Sequence, residues 1–422
     1  MELSPKQLAA VDKAVGWYEA FLTNPKTVQQ VFTFTGYAGT GKTTAIHELT
    51  ERLNVKTAFA AYTGKAARVI SRVNDVKAST IHALIYAYVE PDKVACQGLY
   101  DEIHGTGDEQ GMPPGDDRNA AIKKLDEWSA PHFVIKDDSP MQDLDLLFLD
   151  EASMVNQEML DDLLSYGVPI LAIGDPGQLP PVKGTGALFV GTPDVQLEEI
   201  FRQAAENPII KAATMARQGI PWGYHVEEPD DKRFRNLRFG AMSDPAFKTD
   251  CMDADQVLCG MNKTREDLNV RMRSWLGYDV TNPYPQVGET LCCWKNDKIK
   301  GLYNGDQCTV VSAGNVYEDY LELEVRLEDG GKTVMVKALR ALFDKYYDPE
   351  SMKRVKWFIR KNLQEFDYGY ALTVHKSQGS QWDKVLFMDD GLMRGWSAKA
   401  KERRQLVYTA VTRAAEKLTV YS

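Results

Sequence analysis

Short apolar runs alternate with segments of helical spacing over most of the chain, a pattern typical of βαβ units and of a parallel sheet. The first apolar runs predict strands at Val31–Thr35, Thr57–Tyr62, Leu144–Leu149 and Ile170–Ile173. A second set of runs predicts strands at Gln256–Gly260, Lys384–Met388 and Lys417–Tyr421. We therefore expect two α/β lobes, joined by a connecting stretch, Arg217–Lys248, that is rich in Gly, Pro and charge.

Two insertions interrupt these lobes. The first is rich in Gly, Pro and acid and has weak periodicity. The second carries β-like runs, Gln307–Val311 and Leu321–Val325, and the tight-turn dipeptide Asn304-Gly305. It is interpreted as a small β-barrel with an attached basic helix, Ser351–Lys361. The predicted division is a first lobe at residues 1–86 and 141–206, a first insertion at 87–140, a second lobe at 207–285 and 363–422, and a second insertion at 286–362.

Composition and charge narrow the class of protein. The 422 residues carry a formal net charge of −10, which taken alone argues mildly against a nucleic-acid partner. A groove needs only local positive charge, however, and basic residues gather at Lys353–Lys361 and Lys399–Arg404. We interpret Lys353–Lys361 first as a solvated helix face, with duplex or partner binding as the alternative.

Targeting signals and cysteine pairs are not evident in the sequence. The chain has no apolar run long enough to span a membrane, and its first residues lack a signal-peptide pattern. The six cysteines form no C-x-x-C pair, so we expect reduced thiols rather than disulfides or a metal site. These features predict a cytoplasmic protein without a membrane partner.

The most specific motif is the run GYAGTGKTT at residues 36–44, which follows a predicted strand and opens a predicted helix. Backbone N–H groups of such a loop wrap phosphate oxygens, and the helix N-terminus adds its positive dipole end. Lys42 is then placed to neutralise the β- and γ-phosphates, and Thr43 to hold Mg²⁺.

Two acids end the third predicted strand, and the next strand leads to a Gly/Pro turn. Asp150 is predicted to hold Mg²⁺, and Glu151 to orient and deprotonate the attacking water. Gln178, in the run GDPGQLPP, is predicted to sense the γ-phosphate. Arg202 and Arg413 are candidates for neutralising charge on the transferred phosphate, although each could equally be a structural ion pair.

Loops of Thr, Lys, Ser and His follow strands in both lobes. The first lobe has AYTGKAA at residues 61–67 and STIH at 79–82, and the second has TVHKSQG at 373–379. Hydroxyl, ammonium and backbone N–H groups suit phosphate contacts. One matched loop in each lobe predicts a single nucleic-acid strand that lies across both lobes.

Taken in order, these motifs resemble those of the superfamily 1B DNA helicases, in the RecD-like branch and of the phage Dda type in size. The ordered set is GYAGTGKTT, AYTGKAA, STIH, LDEASM, GDPGQLPPV, IFRQ, TVHKSQG and LVYTAVTRA. The resemblance spans residue 7 to about residue 420 apart from the two insertions. It implies an α/β fold of two RecA-like P-loop lobes with parallel sheets, an inserted β-hairpin "pin" and an inserted SH3-like β-barrel.

The resemblance also implies the site residues. For ATP binding it implies Gln7 as the adenine-reading residue, with Gly36, Ala38, Gly39, Thr40, Gly41, Lys42, Thr43 and Thr44. It assigns catalysis to Lys42, Glu151, Gln178, Arg202 and Arg413, and Mg²⁺ to Thr43 and Asp150. The implied DNA contacts are Thr63, Lys65, Thr80, His82, Asn262, Thr373, His375 and Lys376.

The function implied is an ATP-dependent helicase that moves 5′→3′ on single-stranded DNA and unwinds forked duplex DNA. It would work as a monomer in a bacterial or phage-infected cell, in replication, repair or recombination, possible partners being single-strand-binding and other replication or recombination proteins. Two alternatives stay open: a translocase that mainly displaces bound proteins, and a nucleotide-switch module without motor activity.

The sequence departs from the family pattern in two places. The first insertion is longer and more acidic than a bare hairpin needs, and Phe133-Val134-Ile135 is the candidate for the pin. Tyr62 stands where the family usually has Pro.

Overall fold

The computed structural model describes residues 3–422 except 75, 90–91, 106–109, 130–131, 181–185, 190, 201–205, 223–230, 232, 298, 329–330, 347 and 392–399. Helices and strands alternate along most of the chain. Up to residue 197 they are α1 (Pro5–Thr23), β1 (Val31–Gly36), α2 (Lys42–Leu53), β2 (Thr57–Ala61), α3 (Gly64–Asn74), β3 (Ala78–Thr80), α4 (Ile81–Ile85), β4 (Tyr86–Val89), α5 (Lys93–His104), α6 (Asp116–Ser129), β5 (His132–Ile135), β6 (Leu146–Asp150), α7 (Gln157–Leu164), β7 (Ile170–Gly174) and β8 (Val195–Leu197). From residue 208 they are α8 (Pro208–Gln218), β9 (Phe234–Leu237), α9 (Pro245–Asp253), β10 (Gln256–Cys259), α10 (Asn262–Trp275), β11 (Thr290–Cys293), β12 (Gln307–Val316), β13 (Tyr320–Leu327), β14 (Thr333–Leu339), α11 (Ala341–Asp344), α12 (Trp357–Asn362), β15 (Phe366–Tyr368), β16 (Ala371–Thr373), β17 (Trp382–Met388), α13 (Ala400–Val411) and β18 (Ala414–Tyr421). Short 3₁₀ helices lie at Pro140–Asp143, Ala152–Met154, Ser351–Arg354 and Val374–Ser377.

The first lobe is built on a parallel sheet with strand order β3-β2-β6-β7-β1-β8. Strands β6 and β7 lie in the middle and are buried almost throughout, which explains their nearly continuous apolar runs. The loops after β1, β6 and β7 all leave at the carboxyl edge of the sheet, where open α/β sheets bind ligands. The α/β lobe predicted from the apolar runs is confirmed.

The second lobe has its own parallel sheet, in the order β16-β10-β17-β18-β9. Its edge strand β9 pairs with β18 and lies inside the segment predicted to be a mere connection. That prediction was wrong at Phe234–Leu237, because a short strand with one buried apolar residue, Phe234, shows no alternation.

A β-hairpin projects from the first lobe. Strands β4 and β5 pair antiparallel from Tyr86↔Ile135 to Val89↔His132. Helices α5 and α6 lie between them in the chain and pack on each other through a small apolar cluster that includes Cys96, Ile103 and Leu125. The first insertion therefore contains two helices that were not predicted from its acid-rich sequence.

The second insertion contains an antiparallel sheet in the order β14-β13-β12-β11-β15. The expected SH3-like barrel is not confirmed, because closure requires paired edges and, in the described residues, β14 and the β15 segment meet at one isolated bridge, Ala338–Gln364. The predicted basic helix Ser351–Lys361 is divided into a 3₁₀ turn, Ser351–Arg354, and α12.

Cysteines and helices give two further findings. All six cysteines are buried free thiols. Among the described helices, none combines the length and the apolar character needed to cross a membrane.

Candidate nucleotide and strand site

The phosphate loop connects β1 to α2 in a conformation that requires glycine. Gly39 and Gly41 have φ of +78° and +71°. A Cβ on Gly36 would lie 2.6 Å from the Oγ1 atom of Thr40, so this position has no room for a side chain. The Lys42 Nζ atom donates to the carbonyl oxygen of Gly36 at 2.6 Å and to that of Tyr37 at 3.1 Å. The ammonium is therefore held against the loop, and the cradle fits a polyphosphate.

Gln7 ties the start of α1 to this loop. Its Nε2 atom donates to the carbonyl oxygens of Thr40 and Gly41 at 3.3 and 3.1 Å, while its Oε1 atom accepts from the Ser4 N–H at 2.9 Å. The same residues line a cavity of about 310 Å³ that continues along α1 to Glu199. This arrangement puts Gln7 beside the loop and next to space for a ring system, and its reading of adenine stays a prediction.

Three carboxylates gather at the carboxyl ends of β6 and β7. Glu151 has φ of +50°, and its N–H donates to Asp150 Oδ1 at 2.7 Å. Burial and the neighbouring Asp150 raise the pKa of Glu151 to about 7, against the opposing charges of Arg413 and Lys42. Burial also raises the pKa values of Asp150 and Asp175, against the field of Lys42. A non-glycine residue in the left-handed region is typical of functional sites.

The oxygen atoms of Thr43 and Asp150 suit Mg²⁺, which prefers hard oxygen ligands. Thr43 lies in the first turn of α2 and Asp150 ends β6, so both stand at the carboxyl edge of the first sheet. The described residues contain no cluster of three or more His, Cys, Asp or Glu that could hold a metal ion. The hydroxyl of Thr43 and the carboxylate of Asp150 are the donor types that Mg²⁺ takes, so the two residues fit the predicted ion.

Arg413 brings positive charge from the second lobe to these carboxylates. Its side chain is buried, with Nε donating to the Thr409 carbonyl at 3.1 Å and Nη1 to the Ser380 carbonyl at 3.1 Å. Its charge opposes the rise that burial causes in the pKa values of both Glu151 and Asp175. The predicted Arg202 lies outside the described residues.

Gln178 is buried in the turn after β7. Its backbone N–H donates to the Asp175 carbonyl at 3.1 Å. Its Oε1 atom is also buried and has no hydrogen-bond partner in the described part of the chain. A buried acceptor of this kind usually has a partner in a working state.

The second lobe also holds this turn through residues that the sequence motifs did not single out. Tyr408 and Thr409 of α13 bond to Asp175 and Leu179, and Gln378 donates to the Leu179 carbonyl at 3.0 Å. Tyr408 occurs in the quoted run LVYTAVTRA, but an aromatic residue at helical spacing normally indicates core packing. Its polar contacts depend on how the lobes meet, which the sequence does not show.

Two predicted strand contacts of the first lobe, Thr63 and Lys65, lie at the start of α3, where they contact the second lobe. A Cβ on Gly379 would lie 3.1 Å from Thr63 Oγ1, and the Lys65 ammonium lies 4.8 Å from the centre of the Trp382 ring. Arg68, one turn later on α3, forms an ion pair with Asp306 of the second insertion. Helix α3 therefore contacts both the second lobe and its insertion.

Thr80 and His82 lie beside the hairpin. Thr80 caps α4 by accepting from the Ala83 N–H at 3.1 Å. The His82 ring lies 5.5 Å from Phe133 of β5, 5.3 Å from Tyr86 of β4 and 6.2 Å from Tyr62. These rings form an aromatic cluster at the base of the hairpin.

The predicted DNA-contact residues of the second lobe lie at or shortly after the ends of the neighbouring strands β10 and β16. Thr373 is buried at the end of β16, opposite Cys259 of β10, and the exposed Asn262 begins α10 shortly after β10. Burial lowers the pKa of His375 and that of Lys376. Lys376 donates to Asn304 Oδ1 at 3.3 Å. The predicted DNA-contact residues therefore lie in three groups: one at α3, one beside the hairpin and one near the ends of β10 and β16.

Comparisons with known proteins agree with this architecture. Residues 2–225 match the family model described as AAA domain, and residues 368–421 match the UvrD-like helicase C-terminal domain. The ATP-dependent RecD2 DNA helicase of Deinococcus radiodurans is 27% identical over 98% of this chain and 48% of its own length. The RecD subunit of the RecBCD enzyme of Mycolicibacterium smegmatis is 24% identical over 93% of this chain and 68% of its own length. The chain thus spans about half the length of the RecD2 relative.

Solved structures show the same fold. The Pif1 helicase of Candida albicans superposes with a TM-score of 0.52 at 18% identity, covering 100% of this chain and 95% of that one. Bacteroides Pif1 bound to single-stranded DNA superposes with a TM-score of 0.51 at 18% identity, covering 100% and 92%. Because the AAA-domain model covers the whole first lobe and a helicase C-terminal domain ends the second, the chain belongs to the AAA-domain family, within the superfamily 1B helicases.

Proposed function

We propose that the protein is an ATP-dependent DNA helicase that moves 5′→3′ along single-stranded DNA and separates duplex DNA at a fork. The observation that carries this proposal is that the same two lobes meet on both sides of their cleft. On one side the charge of Arg413 acts on Glu151 of the first lobe, and on the other side the Lys65 ammonium lies 4.8 Å from the centre of the Trp382 ring. A change in nucleotide contacts can therefore move the strand contacts.

The nucleotide half of the cleft has the groups that phosphoryl transfer needs. The backbone N–H groups of Gly36–Thr44 and the Lys42 ammonium would bind the phosphates. Glu151 would accept the proton of the attacking water, and Arg413 would face the developing charge on the phosphate oxygens. Mg²⁺, held by Thr43 and Asp150, would supply charge neutralisation between phosphate oxygens.

Motion follows from differential affinity. Arg413 reaches the phosphates only when the second lobe is closed on the first, so ATP favours the closed arrangement more than ADP does. Opening after hydrolysis would separate Thr63 and Lys65 from Gly379 and Trp382, the pairs that now touch. Repeated closing and opening gives directional steps if one lobe grips the strand while the other slides.

The hairpin favours duplex separation over protein displacement alone. Phe133, Val134 and Ile135 of β5 are each at least 40% exposed, beside the His82 ring cluster. Exposed apolar groups beside a strand path can stack on or wedge against the terminal base pair. The prediction that the pin lies at Phe133-Val134-Ile135 is part of this proposal.

The test is unwinding of matched forked duplexes that carry either a 5′ or a 3′ single-stranded tail. Wild type should separate the 5′-tailed substrate with ATP, and Lys42→Ala should separate neither. Equal activity on both tails would contradict the polarity, and robust unwinding by Lys42→Ala would contradict the ATP site. ATP-driven release of a protein bound to the tail, without strand separation, would favour the alternative translocase.

We propose further that the protein acts in the cytoplasm as a monomer on single-stranded and forked DNA. Both halves of the proposed ATP site come from one chain, because Lys42 and Arg413 act on the same carboxylate. Light scattering with and without a single-stranded oligonucleotide should give the mass of one chain in each case.

A further inference from the structure

The hydroxyl of Tyr408 joins three parts of the cleft. Tyr408 lies on α13 of the second lobe, and its ring is 1% exposed. The hydroxyl accepts a hydrogen bond from the Ala38 N–H of the phosphate loop at 2.9 Å and donates one to Asp175 Oδ2 at 2.6 Å. Burial and the charge of Asp175 hold the pKa of the phenol well above its usual range, so the group stays a donor.

The turn after β7 is shaped around this ring. A Cβ on Gly177 would lie 2.9 Å from Tyr408 Cε1, so no larger residue fits. The Gly177 N–H donates to Asp175 Oδ1 at 2.9 Å. The two carboxylate oxygens of Asp175 are thus occupied by different partners, one from its own turn and one from the second lobe.

Thr409, the next residue of α13, connects the turn after β7 to Arg413. The Leu179 N–H donates to Thr409 Oγ1 at 3.0 Å, and the Thr409 carbonyl accepts from Arg413 Nε at 3.1 Å. Because Tyr408 and Thr409 bond to different residues of the turn, a shift of α13 along it would break both bonds. The placement of Arg413 is therefore linked to the placement of Tyr408.

Ala38 gives this link its sensitivity to nucleotide. Its N–H belongs to the loop whose amides surround phosphate, so a bound phosphate and the Tyr408 hydroxyl compete for it. We propose that Tyr408 is a positioning residue that senses occupancy of the phosphate loop through Ala38 and, through Asp175 and α13, sets Arg413 in register with Glu151. This inference rests on the proposed function and names its nucleotide sensor.

The test is Tyr408→Phe, which keeps the ring and removes both hydrogen bonds. We expect the kcat of ATP hydrolysis to fall about 10- to 100-fold, because one hydrogen bond to a buried charge is lost. Binding of a fluorescent, non-hydrolysable ATP analogue, measured without DNA, should tighten about 3- to 10-fold, because competition for Ala38 is removed. A merely structural role would weaken binding or leave it unchanged.

Tyr421→Phe is the matched control. Its hydroxyl also donates to a carboxylate, Asp250 Oδ2 at 2.7 Å, but at the far end of the second sheet. It should leave both kcat and analogue binding unchanged. The inference is overturned if Tyr408→Phe matches this control, or if it lowers kcat and analogue affinity together with the thermal midpoint.

A double-mutant cycle with Asp175→Asn tests whether Tyr408 acts through Asp175. If Tyr408 acts through Asp175, the double variant should lose no more kcat than the worse single variant, whereas additive losses would contradict the route. Because analogue binding is measured without DNA, it decides the role of Tyr408 even if DNA fails to stimulate hydrolysis, a result that would count against the proposed function alone.

Discussion

The nucleotide cleft and the β4–β5 hairpin depart from ordinary protein surfaces in opposite ways. The cleft withdraws carboxylates from water, because burial raises the pKa values of Asp150, Glu151 and Asp175, and the charge of Lys42 opposes that rise at all three. The hairpin exposes apolar side chains, including Phe133 and Val134. Buried carboxylates and exposed aromatic groups both cost free energy unless something compensates.

The difference shows how the two regions depend on the rest of the molecule. The cleft is complete only where the second lobe supplies Arg413 and Tyr408. The hairpin is part of the first lobe, and the rings that contact His82 in the described part of the chain, those of Tyr62, Tyr86 and Phe133, come from that lobe. Changes in the cleft should therefore stop hydrolysis, whereas changes in the hairpin should spare hydrolysis and reduce strand separation.

The largest effect is expected for Lys42→Ala. Loss of the ammonium at the phosphates should lower ATP hydrolysis by about 10³-fold. A steady-state assay of phosphate release measures it. Lys332→Ala, at a lysine whose Nζ donates to the Lys300 carbonyl on the second insertion, is the control and should keep wild-type activity.

A smaller effect is expected for Arg413→Lys. Lysine keeps the charge but loses the planar fork, so kcat should fall about 10²-fold while ATP analogue binding changes little. Arg235→Lys, in an ion pair with Asp250 at 2.7 Å on the edge strand, is the control. Equal kcat in both variants would show that Arg413 has a purely structural role.

Phe133→Ala tests whether the hairpin can be changed without affecting ATP hydrolysis in the cleft. The rate of strand separation should fall about 3- to 10-fold through loss of aromatic contact with a base pair, while hydrolysis stays within about twofold of wild type. Val316→Ala removes an apolar group that is 50% exposed on the second insertion and serves as control. A parallel loss of hydrolysis would mean that hairpin and cleft are not independent.

The smallest effect is expected for Lys65→Ala. One lost phosphate contact should weaken binding of single-stranded DNA about 3- to 10-fold and lower the slope of log affinity against log salt by about 1. Lys353→Ala, at an exposed lysine that pairs with Glu350, tests the basic run and should change neither value. A larger effect of Lys353→Ala would favour the alternative in which this run binds nucleic acid.

Much of the first lobe could be predicted from the sequence because its signals are local. The phosphate loop follows from glycines that need positive φ, and β6 and β7 follow from continuous apolar runs. Strand β9 could not be predicted, because its pairing with β18 joins residues about 180 positions apart and its own pattern is short.

For the candidate site too, local motifs could be predicted from the sequence but contacts between distant residues could not. Lys42, Asp150 and Glu151 have motifs around them, and the structure brings them together. Tyr408 has a motif, but its role depends on contacts with Ala38 and Asp175 of the other lobe. The ring cluster of His82 with Phe133 likewise depends on how β5 returns to pair with β4.

The central claim is that nucleotide state and strand grip are coupled through closure of one cleft. The direct measurement is the affinity of wild type for a single-stranded oligonucleotide in a saturating non-hydrolysable ATP analogue and in saturating ADP. We predict a difference of about 5- to 150-fold between the two states, mirrored by an equal change in the nucleotide preference when DNA is bound. Identical affinities in the two nucleotide states would contradict the account.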